Sequence, residues 1–326
     1  MKVIFFGLGD INIERNCIFL IKIFFSVLII ADYIYSFVLG QIEKCREVEY
    51  NVCPMEENRK KIFKTFALLV FCILIISYVY FLFYDKENIS EVISEDCRVE
   101  KGGVVLSFDD LSVEGWYAAH LDIFEPRGVK ATFYLTHLFK LEEDSESLEK
   151  LLQMQDYGHE MANHTMNHLN LKEFLLKNTL EEYLEKEVDS VYELGKFLGL
   201  NLLSFSYPFG VGTENADMLL LEKYSSVRYT GTLTSKSNRI FTDNICERIL
   251  SAGSLDFRRG VSKKDITEVL KRAKNENLIV LMYGHSIAVE EPSNYSVSYE
   301  MLNHLIDEAE RLNLEFFTVS EVFGGN

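Results

Sequence analysis

The sequence predicts an α/β fold: an irregular (β/α) barrel of seven or eight units, preceded by one or two transmembrane helices. Three observations predict it. From Gly102 onward, short apolar runs rich in Val, Ile, Phe and Tyr alternate with amphipathic stretches. Such runs read as buried strands, and strand–helix alternation implies a parallel sheet with crossover helices. Seven or eight units in a region of this length suit a barrel better than an open sheet. Finally, two long apolar segments precede the alternating region.

Residues 17–39 are apolar apart from Lys22 and Asp32, and residues 65–84 carry no charge at all. Segments of this length cross the ~30 Å hydrocarbon core of a bilayer, whereas buried core helices rarely run as far without a charge. The second segment is the stronger span, because Asp32 would be costly at mid-membrane. Arg59, Lys60, Lys61 and Lys64 precede it, and Asp85, Glu87 and Glu91 follow it. Positive flanks stay cytoplasmic, so the C-terminal region is expected to face the periplasm or the cell exterior. An uncleaved anchor fits better than a signal peptide, because the apolar run is long and no small-x-small site follows it. Met55 opens a stretch that resembles an ordinary start of an anchored protein. Residues 1–54 therefore read either as a first membrane region or as an upstream extension.

The chain thus divides into a membrane region (1–84), a charged linker (85–101) and a barrel (102–326). Strands are expected at Val104–Phe108, Ala131–Thr136, His159–Asn163, Leu202–Tyr207, Val227–Thr232, Arg248–Ala252, Leu278–Tyr283 and Glu315–Val319. Thr179–Glu182 is a candidate capping box in an amphipathic stretch reaching about Leu198. Ser262–Asp265 and Ser298 mark two further helix starts, the latter opening Tyr299–Leu312.

The 326 residues carry 50 acidic against 33 basic side chains, a net charge of −17. Nucleic-acid binding would require a basic face, and the sequence shows none. Cys97 and Cys246 are the two cysteines of the outward region, and outside the cell they can pair. No CxxC pair is present, which argues against a thiolate zinc site.

Catalytic groups of a parallel barrel sit at the C-terminal ends of its strands. Four such ends carry suggestive residues. Asp109 and Asp110 end the first; one can bind a cation while the other acts as a base, although an Asp pair alone reads as an acidic turn or N-cap. His164 and His168, four apart, face the same way if they share a helical turn, and with a carboxylate they form a three-ligand metal set. His159 begins a strand and reads as structural. Ser206-Tyr207-Pro208-Phe209-Gly210 reads either as an ordinary turn or as a rigid loop offering a backbone N–H to an oxyanion. His285, after Leu281–Gly284, reads as a surface residue or a general acid.

In order and spacing these segments resemble the polysaccharide deacetylase (NodB homology) family of carbohydrate esterases. Ser107–Asp110 resembles its first motif, Lys130–Tyr134 its second strand, and His164-Thr165-Met166-Asn167-His168 its metal-binding motif. Ser206–Gly210 is similar to its third motif, and Leu281–His285 to its last. The resemblance spans the region after the membrane part. It implies that Asp109 is the general base, and that Asp110, His164 and His168 bind a divalent metal, commonly zinc, with cobalt or nickel as alternatives. It further implies that the Tyr207 N–H stabilises the oxyanion and that His285 protonates the leaving amine. The implied substrate is an N-acetylated glycan, hydrolysed to acetate and a free amino sugar.

Three departures stand out. Leu111 replaces the usual Gly after the Asp pair. The Arg of the third motif, which positions the base, is missing, and Arg248 is the expected substitute. No Asp-x-x-Asp-Trp motif is evident; Trp116 is the sole tryptophan. Two other classes remain as alternatives: an inactive glycan-binding barrel, or a membrane assembly factor for polysaccharide export.

Overall fold

The computed structural model describes residues 97–289 and 292–324. Both expected membrane spans and residues 85–96 of the expected linker lie outside the described residues. Among the described residues no helix is long and apolar enough to cross a membrane.

Eleven strands are described: β1 Gly103–Asp110, β2 Thr132–Leu135, β3 Glu160–Asn163, β4 Leu202–Ser206, β5 Val227–Gly231, β6 Phe241–Thr242, β7 Ile249–Ser254, β8 Ile279–Gly284, β9 Ser286–Ala288, β10 Ser296–Ser298 and β11 Glu315–Phe317. Seven of them form a closed parallel ring in the order β1-β2-β3-β4-β5-β7-β8, and β8 pairs back onto β1. All eight expected strands exist, but the eighth stands outside the ring. β11 pairs with β1 only at Gly103–Val105, where β2 has not yet begun to pair. β6 runs antiparallel along the start of β8. The ring has its fewest register pairs, two each, at β3–β4, β4–β5 and β7–β8.

Period-two alternation sorts the strand residues into two cores. Val104, Leu106 and Phe108 of β1 join Trp116, Phe133, Leu302 and Leu305 in the layer between ring and helices. Val105, Tyr134, Ala162, Leu250, Ala252, Ile279, Leu281 and Tyr283 form a separate cluster, which is the lumen. β1, β2 and β8 are therefore buried on both faces, which explains their unbroken apolar runs. Burying each large side chain contributes ~1.5–3 kcal/mol. Val319 and Phe323, on the helix Val319–Phe323, also join the lumen cluster and plug the N-terminal end of the ring. Buried Glu160 ties that plug down: it accepts the Ser320 N–H at 2.7 Å and the Ser204 hydroxyl at 2.6 Å.

Helix starts follow the capping signals. Thr179 and Ser262 form complete capping boxes, and Ser298 caps Tyr299–Arg311 by accepting the Met301 N–H. The amphipathic stretch after Thr179 is interrupted by a π-helical segment, Leu184–Asp189, before resuming at Ser190–Phe197. Cys97 and Cys246 form a disulfide, and Val99 N–H donates to the Asp243 carbonyl.

Candidate active site

The residues singled out in the sequence converge at the C-terminal end of the ring. Asp109, Asp110, His164, His168 and His285 line one cavity of about 400 Å³, with Phe209, Thr230, Arg259, Tyr283 and Tyr295. Phe209 belongs to the turn after β4; Tyr207, before it, is not among the lining residues.

Asp110, His164 and His168 offer ligand atoms that all lie within 4.8 Å of one another. The Nε2 atoms of His164 and His168 stand 3.8 and 3.4 Å from Asp110 Oδ1. Asp110 Oδ1 is buried and has no hydrogen-bond partner, an unusual and costly state for a carboxylate oxygen. His164 Nδ1 lies 2.7 Å from the Ser206 carbonyl, which can only accept, so Nδ1 carries the proton and Nε2 keeps its lone pair. Burial, the largest influence, pushes the His164 imidazole down to about 4, which favours its neutral form. An orphaned carboxylate oxygen facing two imidazole nitrogens fits a divalent metal of the zinc type.

The histidines do not share a helical turn. Residues 164–168 are a loop, in which Thr165 (φ 68°) and His168 (φ 55°) take left-handed conformations. Asp110 (φ 80°) and Phe209 (φ 60°) do likewise. Non-glycine residues adopt this region at a cost, and at this site four of them cluster. The left-handed turn after the Asp pair falls on Asp110 itself, so Leu111 needs no glycine-like freedom and packs instead against the outer core. Buried Glu187, on the π-helical segment, holds the histidine loop by accepting from Asn167 N and Nδ2, each at 2.8 Å.

Asp109 is buried against Arg228, not Arg248. Arg228 Nη2 donates to both Asp109 oxygens at 2.5 and 2.6 Å, and to Ser206 Oγ at 2.6 Å. Its guanidinium lies 4.7 Å from the Tyr134 ring centroid and 4.8 Å from that of Tyr283. Arg248 is occupied elsewhere: its guanidinium caps the carbonyls of Leu221, Tyr224 and Ser225. The missing third-motif arginine is thus supplied from β5, across the small Ser206. Desolvation opposes ionisation of Asp109 most strongly, but Arg228, His164 and His285 together outweigh it and hold the carboxyl below its ordinary value.

The Tyr207 N–H does not reach the cavity. It donates to the Arg228 carbonyl at 3.2 Å within the sheet, and the buried phenol donates to Asp217 at 2.8 Å. Pro208 has no N–H, and those of Gly210 and Val211 close the turn. Phe209 is the residue of this turn that lines the cavity, and its ring meets His168 at 4.7 Å between centroids.

His285 Nδ1 lies 2.9 Å from Asp256 Oδ2, while Asp256 Oδ1 accepts the His285 N–H at 3.2 Å. Asp256 is fully buried and also accepts from Ser254 Oγ. Burial alone would lower the His285 value, but the Asp256 hydrogen bond and the charges of Asp109, Asp256 and Asp110 raise it overall. Asp256 escaped the sequence reading; its signal was a polar Ser-x-Asp ending an apolar strand, followed by aromatic Phe257. Trp116 supports the same loop from the core by donating to the His285 carbonyl at 2.7 Å. His159 is structural, as expected: its Nδ1 accepts the Ala131 N–H and its Nε2 faces His120.

Residues 97–229 match the family model described as polysaccharide deacetylase. Similar solved structures include the chitin deacetylase of the fungal pathogen Colletotrichum lindemuthianum, at 17% identity over 71% of this chain and 91% of that chain, TM-score 0.49. The peptidoglycan deacetylase PdaC of Bacillus subtilis matches at 15% identity over 68% of this chain and 90% of that chain, TM-score 0.43. A family 4 carbohydrate esterase of Streptomyces lividans matches at 14% identity over 66% and 91% of the two chains, TM-score 0.44. No curated relative matches the sequence. The five motifs and the closed parallel ring agree with the match of residues 97–229 to the polysaccharide deacetylase family model.

Proposed function

We propose that the protein is a metal-dependent deacetylase of an N-acetylated cell-surface or exported polysaccharide, releasing acetate and leaving a free amino sugar. The observation that carries the reading is the convergence of two separately supported dyads, Arg228–Asp109 and Asp256–His285, on the cavity that holds the Asp110–His164–His168 set.

A divalent metal held by Asp110, His164 and His168 would polarise the acetyl carbonyl and make water more acidic. Asp109 is kept ionised by Arg228 and takes a proton from the attacking water as its oxygen bonds to the carbonyl carbon. One nitrogen of Arg228 serves both Asp109 oxygens, which leaves acceptor capacity on each for that water. With the Tyr207, Gly210 and Val211 N–H groups engaged, that of Phe209, a cavity-lining residue, is the donor this turn leaves for the oxyanion, in place of Tyr207. His285, with Nδ1 engaged by Asp256, delivers its proton from Nε2 to the departing nitrogen as the carbon–nitrogen bond breaks. The role is open to it because its raised value keeps more of the acid form near neutrality.

The apolar segments 17–39 and 65–84, with basic residues before the second and acidic residues after it, support a membrane anchor with the barrel outside the cytoplasm. The Cys97–Cys246 disulfide supports the same side, because such bonds persist in oxidising compartments.

The test is acetate release from N-acetylglucosamine oligomers by the full-length protein, with and without a chelator. Activity that chelation abolishes and added zinc, cobalt or nickel restores is expected. A protein that neither releases acetate nor binds metal would overturn the reading, and would favour the inactive glycan-binding barrel.

A further inference from the structure

Two consecutive arginines follow Asp256 in the turn Phe257–Arg259, and they are used differently. The Arg258 guanidinium lies 3.9 Å from the Tyr295 ring centroid, and its N–H donates to the Asn294 carbonyl at 3.2 Å. These contacts fasten the turn to the loop that carries Tyr295. Arg259 is exposed and lines the catalytic cavity beside the Asp109–His285 machinery. Among the described residues its guanidinium meets no carboxylate. Of the described arginines it is the one that lines this cavity; Arg248 is taken by carbonyls and Arg258 by the Tyr295 ring. Arg127, Arg228, Arg272 and Arg311 each pair with a carboxylate.

We infer that Arg259 makes the site selective for a glycan bearing an anionic group, a carboxylate or a phosphate, on or next to the acetylated sugar. The inference rests on the deacetylase reading and deepens it by naming the substrate class. A cavity of about 400 Å³ is near the small end of the ~300–1,000 Å³ range of ligand sites, so flanking sugars lie over its rim. That rim offers the exposed rings of Phe209 and Tyr295 as stacking faces, and Arg259 as its cation. An unpaired guanidinium is weakly hydrated and its planar fork matches the two oxygens of a carboxylate or phosphate. A neutral acetylated sugar offers hydroxyls but no anion to it. A charge-assisted hydrogen bond contributes ~1.5–3 kcal/mol, which is about a 10- to 100-fold preference for the anionic glycan.

The experiment compares three probes on full-length protein. These are an alternating N-acetylglucosamine–glucuronic acid tetrasaccharide, the same oligomer with its carboxyls reduced to alcohols, and a 6-phosphorylated N-acetylglucosamine dimer set against its dephosphorylated form. Both acetate release (kcat/KM) and calorimetric binding are measured. Wild type is expected to prefer the anionic member of one pair at least tenfold, and the pair that responds identifies the group. Arg259→Met should bring that ratio close to one, and Arg259→Lys should keep part of it. No preference in wild type, or a preference that survives Arg259→Met, overturns the inference. Acetate release without a charge preference defeats only the role of Arg259. A charge-dependent binding ratio without acetate release defeats only the hydrolase reading. Binding of no probe overturns both.

Discussion

Arg228→Met removes the cation that stands against Asp109, the base of the proposed mechanism, while keeping a long apolar side chain between Tyr134 and Tyr283. The magnitude follows from burial. Arg228 is fully buried, and the Asp109 side chain is 3% exposed. Two unit charges 4 Å apart attract by about 4 kcal/mol at an effective dielectric of 20. That figure agrees with the ~3–5 kcal/mol lost when one partner of a buried pair is deleted and the other is left uncompensated. Denaturant unfolding should register a loss of this order near neutral pH. The pH dependence should also change sign. In wild type the lowered value of Asp109 stabilises the fold above the ordinary carboxylate value of 3.8, and this is lost as pH falls through the lowered folded-state value. Without Arg228, desolvation is opposed only by the histidines, so the carboxyl rises and acid ceases to be destabilising at this position. Activity should fall by ~10²-fold or more at neutral pH, the usual contribution of a general base. Its acid limb should move to higher pH. Arg228→Lys keeps the charge but loses the stacking between two rings, and should recover part of the rate with an acid limb near that of wild type. The profile separates positioning from mere stability: a variant that is destabilised yet keeps the wild-type acid limb would refute the claim that Arg228 sets the protonation state of Asp109.

Further outcomes follow from the same geometry. Asp256→Asn removes the carboxylate that raises His285, so the alkaline limb of kcat should move to lower pH, with roughly a tenfold loss at neutral pH from one charge-assisted hydrogen bond; an unmoved limb in a pH–rate profile would count against His285 as the acid. Gly210 has φ 65°, and a Cβ there would stand 2.2 Å from Thr230 Oγ1, so Gly210→Ala should cost about 1–3 kcal/mol by thermal unfolding and displace the Phe209 turn, lowering kcat more than it raises KM. Replacing both Cys97 and Cys246 by Ser opens a cross-link between residues 149 apart and should cost about 2–4 kcal/mol in denaturant unfolding, with metal affinity measured by titration unchanged, because the bond lies away from the cavity.

Where a residue's role was set by its own strand and neighbours, the sequence was readable. Ring strands such as β1, β2 and β8 are buried on both faces and appear as apolar runs, and strand C-terminal ends mark where Asp109, Asp110, His164 and His285 sit. The capping boxes at Thr179 and Ser262 were legible because the interaction spans three residues. The failures involve contacts between strands. Arg248 and Arg228 both lie in expected strands, and choosing between them required knowing which side chain enters the lumen. Arg228 had a usable signal: an arginine within an apolar strand must find a buried partner, and Ser206 in the next strand leaves room for it. Arg248 stands just before its strand, where carbonyls at a helix end could and did claim it. The oxyanion role expected of Tyr207 fails for a related reason, since its N–H lies in register with the Arg228 carbonyl and the sheet takes it before any substrate can. The shared-turn expectation for His164 and His168 failed because spacing of four suits a helix, whereas two left-handed residues let a loop bring the same nitrogens together.

A lumen filled by side chains from every second position can serve one catalytic atom from any strand whose residue stands at the right height. Ser206 on β4 and Arg228 on β5 are register partners. A guanidinium rooted on either strand can therefore address Asp109 across the ring. The exchange has a consequence for the rest of the layer. An arginine rooted on β5 lies between Tyr134 of β2 and Tyr283 of β8, so its plane is held by two aromatic faces and not by a loop. The strain of this site lies at the end of β1 and in the loops, at Asp110, Thr165, His168 and Phe209, while both charge-supporting dyads are anchored in or beside the rigid ring. In the mechanism proposed above, the histidine loop and the Phe209 turn can thus adjust, while Asp109 and His285, the groups that would exchange protons, stay fixed by Arg228 and Asp256.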